Sequence, residues 1–171
     1  MEDPSLIVIA DTSVLINFLA INRMDLIKRH SCRFLITDHV RQEVTDHYYE
    51  QSTRLNEALK QGILEEISVT DQQELETFVA LSKFENLGDG ECACIAVALH
   101  HSYMLAIDDK KAIKQARLLM PTINIFTTQD LMLSMIKSGL VTINEADTIK
   151  HEWASTHRFT LKIHSFAELL P

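Results

Sequence analysis

The sequence is poor in the residues that make linkers, cross-links and membrane spans. Its 171 residues include only four glycines and three prolines, which leaves little material for flexible connections. The three cysteines, Cys32, Cys92 and Cys94, are too few and too irregularly spaced for a disulfide framework. No apolar run is long enough to cross a bilayer, and the opening MEDPSL lacks the basic start of a signal peptide. We therefore expect a reduced, cytoplasmic protein.

Positive charge is also scarce. The net charge of −8 at pH 7 argues against a broad nucleic-acid-binding surface, although not against a local basic patch. An acidic surplus fits a protein that gathers carboxylates around a metal or binds a basic partner. Hydrophobic residues make up 46% of the chain, enough for one substantial core at this length. We expect a single domain over 1–171, with a helical and extended C-terminal extension from about residue 140.

The stretch SLIVIADTS (5–13) places a carboxylate directly after an apolar run. The run 6–10 is short and rich in β-branched residues, which predicts a strand buried on both faces. The following residues predict a first helix over 14–27. Asp11 is therefore expected at the carboxyl end of a buried strand, where open α/β sheets bind their ligands. The ordinary alternative is that Asp11 caps the helix, a position that suits Asp, Thr and Ser.

Short apolar runs alternate with helical patterns along the rest of the chain. This alternation predicts an α/β fold in which a parallel sheet has helices on both faces. After Gly139 a further helix is expected over 143–155, and FTLKI (159–163) either pairs as an edge strand or packs down. The other predicted strands are 34–37, 64–69, 103–108 and 123–128, and the other predicted helices are about 38–61, 71–85, 90–101, 110–119 and 128–138.

Several acids fall where this sheet would bring them together. Parallel strands deliver their carboxyl ends to one edge, so Asp11 shares an edge with Asp108 and Asp109, which end a later strand. Helices that begin at the same edge bring further acids near: Glu43, Asp89 and Glu91. Each acid also has an ordinary role open to it, as a helix cap, a first-turn acid or a solvated side chain.

Carboxylates that converge in this way repel one another. Two unit charges about 4 Å apart cost on the order of 4 kcal/mol at an effective dielectric constant of about 20. The cluster must therefore take up protons, with raised pKa values, or bind a divalent cation. Carboxylate oxygens favour Mg²⁺ or Mn²⁺ over zinc, and such an ion activates water and screens the charge developing on a phosphodiester. The pattern therefore points to nuclease chemistry.

Four segments, in this order, resemble a known family: IVIADTSVLINFL, FLITDHVRQEV, LGDGECACIAVAL and LAIDDKKAIKQA. Together they look like the PIN domain, a family of metal-dependent ribonucleases. The pattern LGxGE (87–91) with the doubled aspartate at 108–109 is similar to a prokaryotic subgroup related to toxins. The tail IKSGLVTINEADTIKHEWASTHRFTL is similar to that subgroup's ending, so the resemblance covers nearly the whole chain.

The resemblance implies a three-layer α/β/α sandwich around a parallel sheet of about five strands. It also implies an endoribonuclease that cuts RNA with Mg²⁺ or Mn²⁺. The catalytic and metal-binding acids it implies are Asp11, Glu43, Glu91 and Asp108, and the doubled aspartate leaves Asp109 open as the fourth acid. The hydroxyl of Thr12 or Ser13 would lie beside the site, with Asp109 or Asp89 in support. Glu91 stands where many PIN domains have Asp, which implies looser metal geometry.

The resemblance implies partners as well. Ribonucleases of the toxin kind are commonly homodimers that an antitoxin encoded next door neutralises. The apolar residues of helix 14–27 exceed what one core-facing stripe needs, which favours either a subunit interface or burial of both helix faces within the domain. These residues are Val14, Leu15, Phe18, Leu19, Leu26 and Ile27.

Two groups of cations are candidate contacts for RNA phosphates. Lys110, Lys114 and Arg117 share one helical face, and a second cluster comprises Arg23, Lys28, Arg29 and Arg33. Such residues more often form solvated faces than binding sites.

Two other functions fit parts of the pattern. A catalytically silent PIN-like module would keep the acids and only bind RNA or a partner. A phospho-acceptor receiver domain also gathers acids around Mg²⁺, but it predicts a DD pair after the first strand and a Lys after the fifth. Here the DD pair is 108–109, and INIFTTQD contains no Lys. Cys92 and Cys94 face different sides of one helix, so they cannot chelate one metal together.

Overall fold

The computed structural model describes residues 6–171 as an α/β structure around one parallel sheet. In this part of the chain the strands lie in the order β3-β2-β1-β4-β5, and all neighbouring pairs are parallel. The predicted fold class is therefore confirmed. Residues 1–5, and with them the expectation about a signal peptide, lie outside the described residues. The strands are β1 (Ile7–Ala10), β2 (Arg33–Thr37), β3 (Leu64–Ile67), β4 (Met104–Ala106) and β5 (Ile125–Phe126).

Each connection between consecutive strands carries at least one helix, as parallel neighbours require. All four residues of β1 are buried, because helices cover both faces at the centre of the sheet. The helices of the described chain are α1 (Thr12–Ala20), α2 (Met24–Arg29), α3 (Asp38–His47), α4 (Tyr49–Lys60), α5 (Gln72–Ser82), α6 (Asp89–His101), α7 (Lys110–Leu119), α8 (Thr128–Lys137) and α9 (Ile143–Thr156).

The strand order places a crevice at the carboxyl ends of β1 and β4. The chain builds outward from β1 through β2 to β3, then crosses back to place β4 on the other side of β1. Such a reversal leaves the loops after the two central strands free to diverge, and ligands of open α/β sheets bind there. The order also differs from the 2-1-3-4-5 order of receiver-type sheets, which excludes the receiver-domain hypothesis.

The predicted helix over 14–27 is two helices. Asn22 adopts the left-handed conformation with φ 55°, so the chain turns between α1 and α2. The backbone N–H of Arg23 donates to the Phe18 carbonyl (3.0 Å) and closes the turn. The six apolar residues proposed for a subunit interface are all buried within the chain itself, at 0–4% exposure, and so belong to its own core: Val14, Leu15, Phe18, Leu19, Leu26 and Ile27.

The predicted helix over 38–61 is also interrupted. Tyr48 leaves the helical conformation, with φ −133° and ψ 62°, and separates α3 from α4. The break lets Arg54 reach back to the end of α1, where its guanidinium donates to the carbonyls of Leu19 (2.7 Å) and Ala20 (2.9 Å). The guanidinium thus caps the end of α1, and this tertiary contact joins α4 to α1 across the break. The remaining predicted helices are present, with ends shifted by at most three residues.

The C-terminal segment packs onto the core without adding a strand. FTLKI (159–163) is irregular, and its apolar residues pack against the core. Trp153 of α9 is fully buried; its indole N–H donates to the Asn17 carbonyl (2.8 Å), and its ring meets Phe18 and Phe159 edge to face. Across residues 6–171, no helix combines the length and apolar character needed to span a membrane.

Candidate functional site

Asp11 lies directly after β1 and has two chemically different carboxylate oxygens. Its Oδ2 accepts hydrogen bonds from the backbone N–H of Ser13 (3.1 Å) and from the Ser13 hydroxyl (2.7 Å), so the capping interpretation is correct for this oxygen. Its Oδ1 is buried and has no hydrogen-bond partner among the described residues. An unpaired buried oxygen on a carboxylate costs free energy that the helix cap does not recover.

Glu43 of α3 approaches this unpaired oxygen. Thr12 donates its hydroxyl proton to Glu43 Oε2 (3.1 Å), which fixes the carboxylate near the start of α1. A methyl group added to Gly90 would lie 2.7 Å from Glu43 Oε2 and 3.8 Å from Asp11 Oδ1. The two carboxylates therefore converge on the bare backbone of Gly90, in the first turn of α6.

Glu91 follows Gly90 and reaches the same region. Its Oε2 accepts from the Gly88 N–H (3.1 Å), and this contact holds the side chain across the start of α6. Burial raises the pKa of Glu91 to about 7, although the hydrogen bond from Gly88 opposes the shift. The negative charges of three neighbouring acids raise this pKa further: Asp11, Asp109 and Glu43.

Asp11 shows the same electrostatic effect. Burial raises its pKa to about 6, while the hydrogen bonds from Ser13 act in the opposite direction. The charge of Glu43 adds to the increase. A cluster of acids in partial burial without a cation relieves its repulsion by taking up protons near neutral pH.

The doubled aspartate divides into two different roles. Asp108 accepts from the Thr128 backbone N–H (2.7 Å) and hydroxyl (2.6 Å), and Asn17 donates to the same carboxylate (3.4 Å). Burial raises the pKa of Asp108, and the acid whose charge raises it further is Asp130. Asp108 therefore joins the start of α8 to α1.

Asp109 lies close enough to Glu91 for its negative charge to affect the Glu91 carboxylate. Its Oδ1 caps α7 by accepting from the Ala112 N–H (2.9 Å). Its charge contributes to the raised pKa of Glu91. The structure thus brings Asp11 and Glu43 together at Gly90, and the charges of Asp11, Glu43 and Asp109 act on Glu91. Asp108 lies beside them, bonded to Thr128.

The chemistry of this group suits a hard divalent cation. Carboxylate oxygens are the preferred ligands of Mg²⁺ and Mn²⁺, and the unpaired Oδ1 of Asp11 is a donor atom that lacks a partner. Within residues 6–171, no three His, Cys, Asp or Glu side chains form a complete ligand set. The acids therefore offer the oxygen donors that such an ion prefers. Their side chains lie farther apart than those of a complete metal-binding site.

A family model described as PIN domain matches residues 7–159. The chain belongs to the PIN-domain family. PIN domains are generally nucleases and generally use divalent metals, so membership supports a nuclease-type function. No curated protein is similar enough in sequence to count as a match.

Solved structures share the PIN fold. A PilT N-terminus domain protein from Sulfolobus solfataricus P2 is 17% identical with a TM-score of 0.54, covering 77% of this chain and 94% of its own. A toxin–antitoxin complex from Klebsiella pneumoniae is 20% identical with a TM-score of 0.50, and the match covers 71% of this chain and 97% of that chain. The PIN domain endonuclease Utp24 is 18% identical with a TM-score of 0.50, and the match covers 73% of this chain and 86% of that chain. At these identities the likeness establishes the fold alone.

The supporting residues predicted for this PIN domain have distinct positions. Thr12 is buried and bonded to Glu43, and Ser13 bridges two loops by donating to Asp11 while accepting from the Asp108 N–H (3.0 Å). Asp89 is exposed, and the N-cap of α6 is Gly88, so the ordinary alternative that Asp89 caps this helix does not hold. Its supporting role at the site stays a prediction.

Sequence reasoning missed three residues that shape the site. Asn17 donates to the Ser13 carbonyl (3.1 Å) and to the Thr128 hydroxyl (3.0 Å), which links α1 to α8. A polar residue within the apolar run of α1 is the sequence signal that would have found Asn17. The other two are Thr128, which donates to Asp108, and Gly90, which lies against Glu43. Nothing in the sequence shows that Gly90 faces Glu43.

The two predicted cationic clusters differ in their surroundings. Arg23 and Arg29 pair with Asp25, and Arg33 pairs with Glu65, so these three charges are engaged within the protein. Lys28 of the same cluster is exposed and forms no ion pair with a described acid. On α7, Lys110, Lys114 and Arg117 are exposed and form no ion pair with any described acid.

Proposed function

We propose that this PIN domain is an endoribonuclease that hydrolyses RNA phosphodiester bonds with Mg²⁺ or Mn²⁺. The observation that carries the proposal is the buried, unpartnered Oδ1 of Asp11, on the same side of Gly90 as the Glu43 carboxylate. Two acids that share a partly buried position without a cation between them are costly to stability. Such destabilising arrangements are concentrated at functional sites.

We assign the ligand roles to Asp11, Glu43, Glu91 and Asp109. Asp109 is a better fourth acid than Asp108, because its charge reaches Glu91 while Asp108 already accepts hydrogen bonds from Thr128 at both oxygens. Asp108 instead serves as a positioning residue, since it holds α8 against α1 beside the acids.

Bound among these acids, the ion supplies positive charge that activates water and screens the negative charge developing on the phosphodiester. The hydroxyl of Thr12 holds the Glu43 carboxylate in place. Ser13 keeps one oxygen of Asp11 occupied and leaves the other for the ion. In the metal-free protein burial raises the pKa of Glu91 to about 7, so Glu91 would release its proton when the ion binds.

The test combines cleavage of a labelled single-stranded RNA with calorimetric titration of Mn²⁺ into the protein alone. The wild type should cleave with Mg²⁺ or Mn²⁺ and lose this activity in excess EDTA. Asp11→Asn should lose both cleavage and Mn²⁺ binding while remaining folded. Glu85→Gln, an exposed charge-neutralising control, should retain both. Cleavage that persists in EDTA contradicts the metal-dependent mechanism.

We further propose that the protein is the toxin of a toxin–antitoxin module and forms a homodimer. The support is the fold shared with the Klebsiella pneumoniae toxin–antitoxin complex, together with a net charge of −8, which suits a basic partner segment. A neighbouring reading frame with a DNA-binding motif and a basic tail is expected. A monomer in light scattering, with no such neighbour, contradicts this assignment and leaves the nuclease proposal intact.

A second candidate is a catalytically silent module that binds RNA or a partner. The incomplete ligand set among residues 6–171 favours it. This candidate predicts RNA binding without cleavage and no heat of Mn²⁺ binding, whereas a measurable Mn²⁺ affinity lost in Asp11→Asn supports the enzyme.

A further inference from the structure

We propose that a groove along α7 holds a single strand of RNA by its phosphates and sugars and leads it to the acid cluster. The proposal rests on the proposed ribonuclease function and names the surface that receives its substrate. The groove has a volume of about 540 Å³ and extends from Asp108 and Thr127 along α7 to Leu118. One of its ends therefore adjoins the loop that carries Asp109.

The groove carries more positive than negative side chains, although the protein as a whole is acidic. Lys110, Lys114 and Arg117 line it, and no described acid forms an ion pair with any of them. Elsewhere, Arg33 and Arg41 are engaged with Glu65 and Glu66, whereas Lys60 and Lys83 also form no ion pair with a described acid. The groove differs from these single lysines because three cations follow one another along one helix face. Unpaired cations in a row are available to a polyanion without first breaking an internal ion pair.

The spacing of these cations matches an elongated ligand. Residues four and three apart lie on one helix face, so Lys110, Lys114 and Arg117 form a single row. At about 1.5 Å of rise per residue the row is about 10 Å long, enough to contact successive phosphates of one strand. It begins in the first turn of α7, immediately after the Asp109 cap.

The net charge of −8 does not prevent such binding. The Debye length is about 8 Å at physiological salt, so distant acids are largely screened from a bound strand. Cations in direct contact with phosphates remain effective, because they displace condensed counterions from the nucleic acid. We therefore expect the three cations of α7 to bind RNA phosphates despite the negative net charge of the whole protein.

The apolar part of the groove favours a single strand over a duplex. Ile113 and Leu118 line it between the cations, and Leu118 is 67% exposed. Proteins that bind single strands combine a positive groove with side chains, most often aromatic, that contact the unstacked bases. In this groove the aliphatic side chains of Ile113 and Leu118 are the surface available to those bases. A duplex keeps its bases stacked inside and has no use for that surface.

The test measures RNA binding apart from cleavage. Asp11→Asn protein in EDTA binds a labelled single-stranded RNA, followed by fluorescence anisotropy. Lys114→Gln/Arg117→Gln in this background should bind about tenfold more weakly at roughly 0.1 M salt, and the slope of log affinity against log salt should fall by about 1.4. The matched control, Lys60→Gln/Lys83→Gln, removes the same charge from exposed lysines on other helices and should bind like its parent.

The remaining arms separate the alternatives. Duplex RNA should bind more weakly than the single strand, and Leu118→Ser should reduce the affinity for the single strand alone. The proposal is overturned if a polyglutamate chain of the same charge binds as tightly as the RNA. It is also overturned if the control variant loses as much RNA affinity as the α7 double variant. In the otherwise wild-type protein with Mn²⁺, the α7 double variant should raise KM with little change in kcat. Cleavage unaffected by that variant refutes the groove alone, while binding without any wild-type cleavage refutes the nuclease proposal alone.

Discussion

Gly90 lies so close to Glu43 that a methyl group on Gly90 would stand 2.7 Å from Glu43 Oε2. Real Cβ atoms do not approach an oxygen so closely, so any other residue at position 90 must displace the carboxylate. The contact joins the first turn of α6 to α3, two elements separated by more than forty residues of chain.

Gly90→Ala should therefore damage the site and spare the fold. The atom that must move is the end of a flexible side chain, and alanine favours a helix over glycine by up to about 1 kcal/mol. We expect the free energy of unfolding in urea to stay the same or rise, while Mn²⁺ affinity and RNA cleavage fall. The control is Gly88→Ala, because an added methyl group there meets nothing within 4 Å. Equal losses in both variants would contradict this explanation.

The metal-free protein should lose stability as the pH rises from about 4 to 7. Folding raises the pKa of Asp11 from 3.8 to about 6, so the folded state binds more protons than the unfolded chain in that range. The stabilisation is fully present below pH 3.8 and is lost as the pH passes 6. Its size is about 3 kcal/mol at most. Glu91, with a pKa of about 7, acts in the same direction.

Asp11→Asn isolates this effect, since asparagine has nearly the same shape and no charge. In EDTA, the free energy of unfolding of Asp11→Asn should rise relative to the wild type between pH 4.5 and pH 7.5, by roughly 1 to 3 kcal/mol. Glu85→Gln is the control and should show no such trend. A wild-type-to-variant difference that is constant with pH would contradict the raised pKa. Mn²⁺ affinity of the wild type should weaken below pH 6, because protons then compete for the ligands.

The two neighbouring aspartates should respond differently to the same substitution. Asparagine caps helices about as well as aspartate, so Asp109→Asn should keep α7 intact and weaken Mn²⁺ binding. Asp108→Asn turns an amide NH₂ toward donors of Thr128 and should cost about 1–3 kcal/mol of stability. Urea unfolding and Mn²⁺ calorimetry on both variants measure the contrast. If Asp108→Asn abolishes Mn²⁺ binding at full stability, Asp108 is a ligand and our assignment is reversed.

Trp153→Phe should test whether the C-terminal extension belongs to the same domain. The substitution removes the hydrogen bond to the Asn17 carbonyl and part of a fully buried ring, at a cost of about 2 kcal/mol. One cooperative unfolding transition with a lower midpoint is expected, with Mn²⁺ affinity unchanged. His151→Ala, an exposed site on the same helix, should change stability by less than about 0.5 kcal/mol. A second, separate transition would contradict the single-domain prediction.

Much of the fold could be predicted from the sequence because its signals are local. Short β-branched runs, helical periodicity and the rule that parallel strands end at one edge were enough to predict the parallel sheet and to put Asp11 and the doubled aspartate after neighbouring strands at one edge. The breaks at Asn22 and Tyr48 were missed, since neither residue is a strong helix breaker. After the break at Tyr48, Arg54 bonds to the end of α1, a contact between distant segments that no local pattern predicts.

By itself, the sequence determined the chemical types and their order along the chain: a carboxylate after each central strand, an acid at the start of a buried helix and a row of cations on α7. Only the tertiary structure decided which atoms lack partners. Thr128 donates hydrogen bonds to both carboxylate oxygens of Asp108, whereas Ser13 donates to only one oxygen of Asp11. Gly90 has no side chain, which leaves space for the Glu43 carboxylate. The physical reason is that hydrogen bonding and burial depend on residues from distant parts of the chain. Local sequence patterns do not give the distances between such residues in the folded protein.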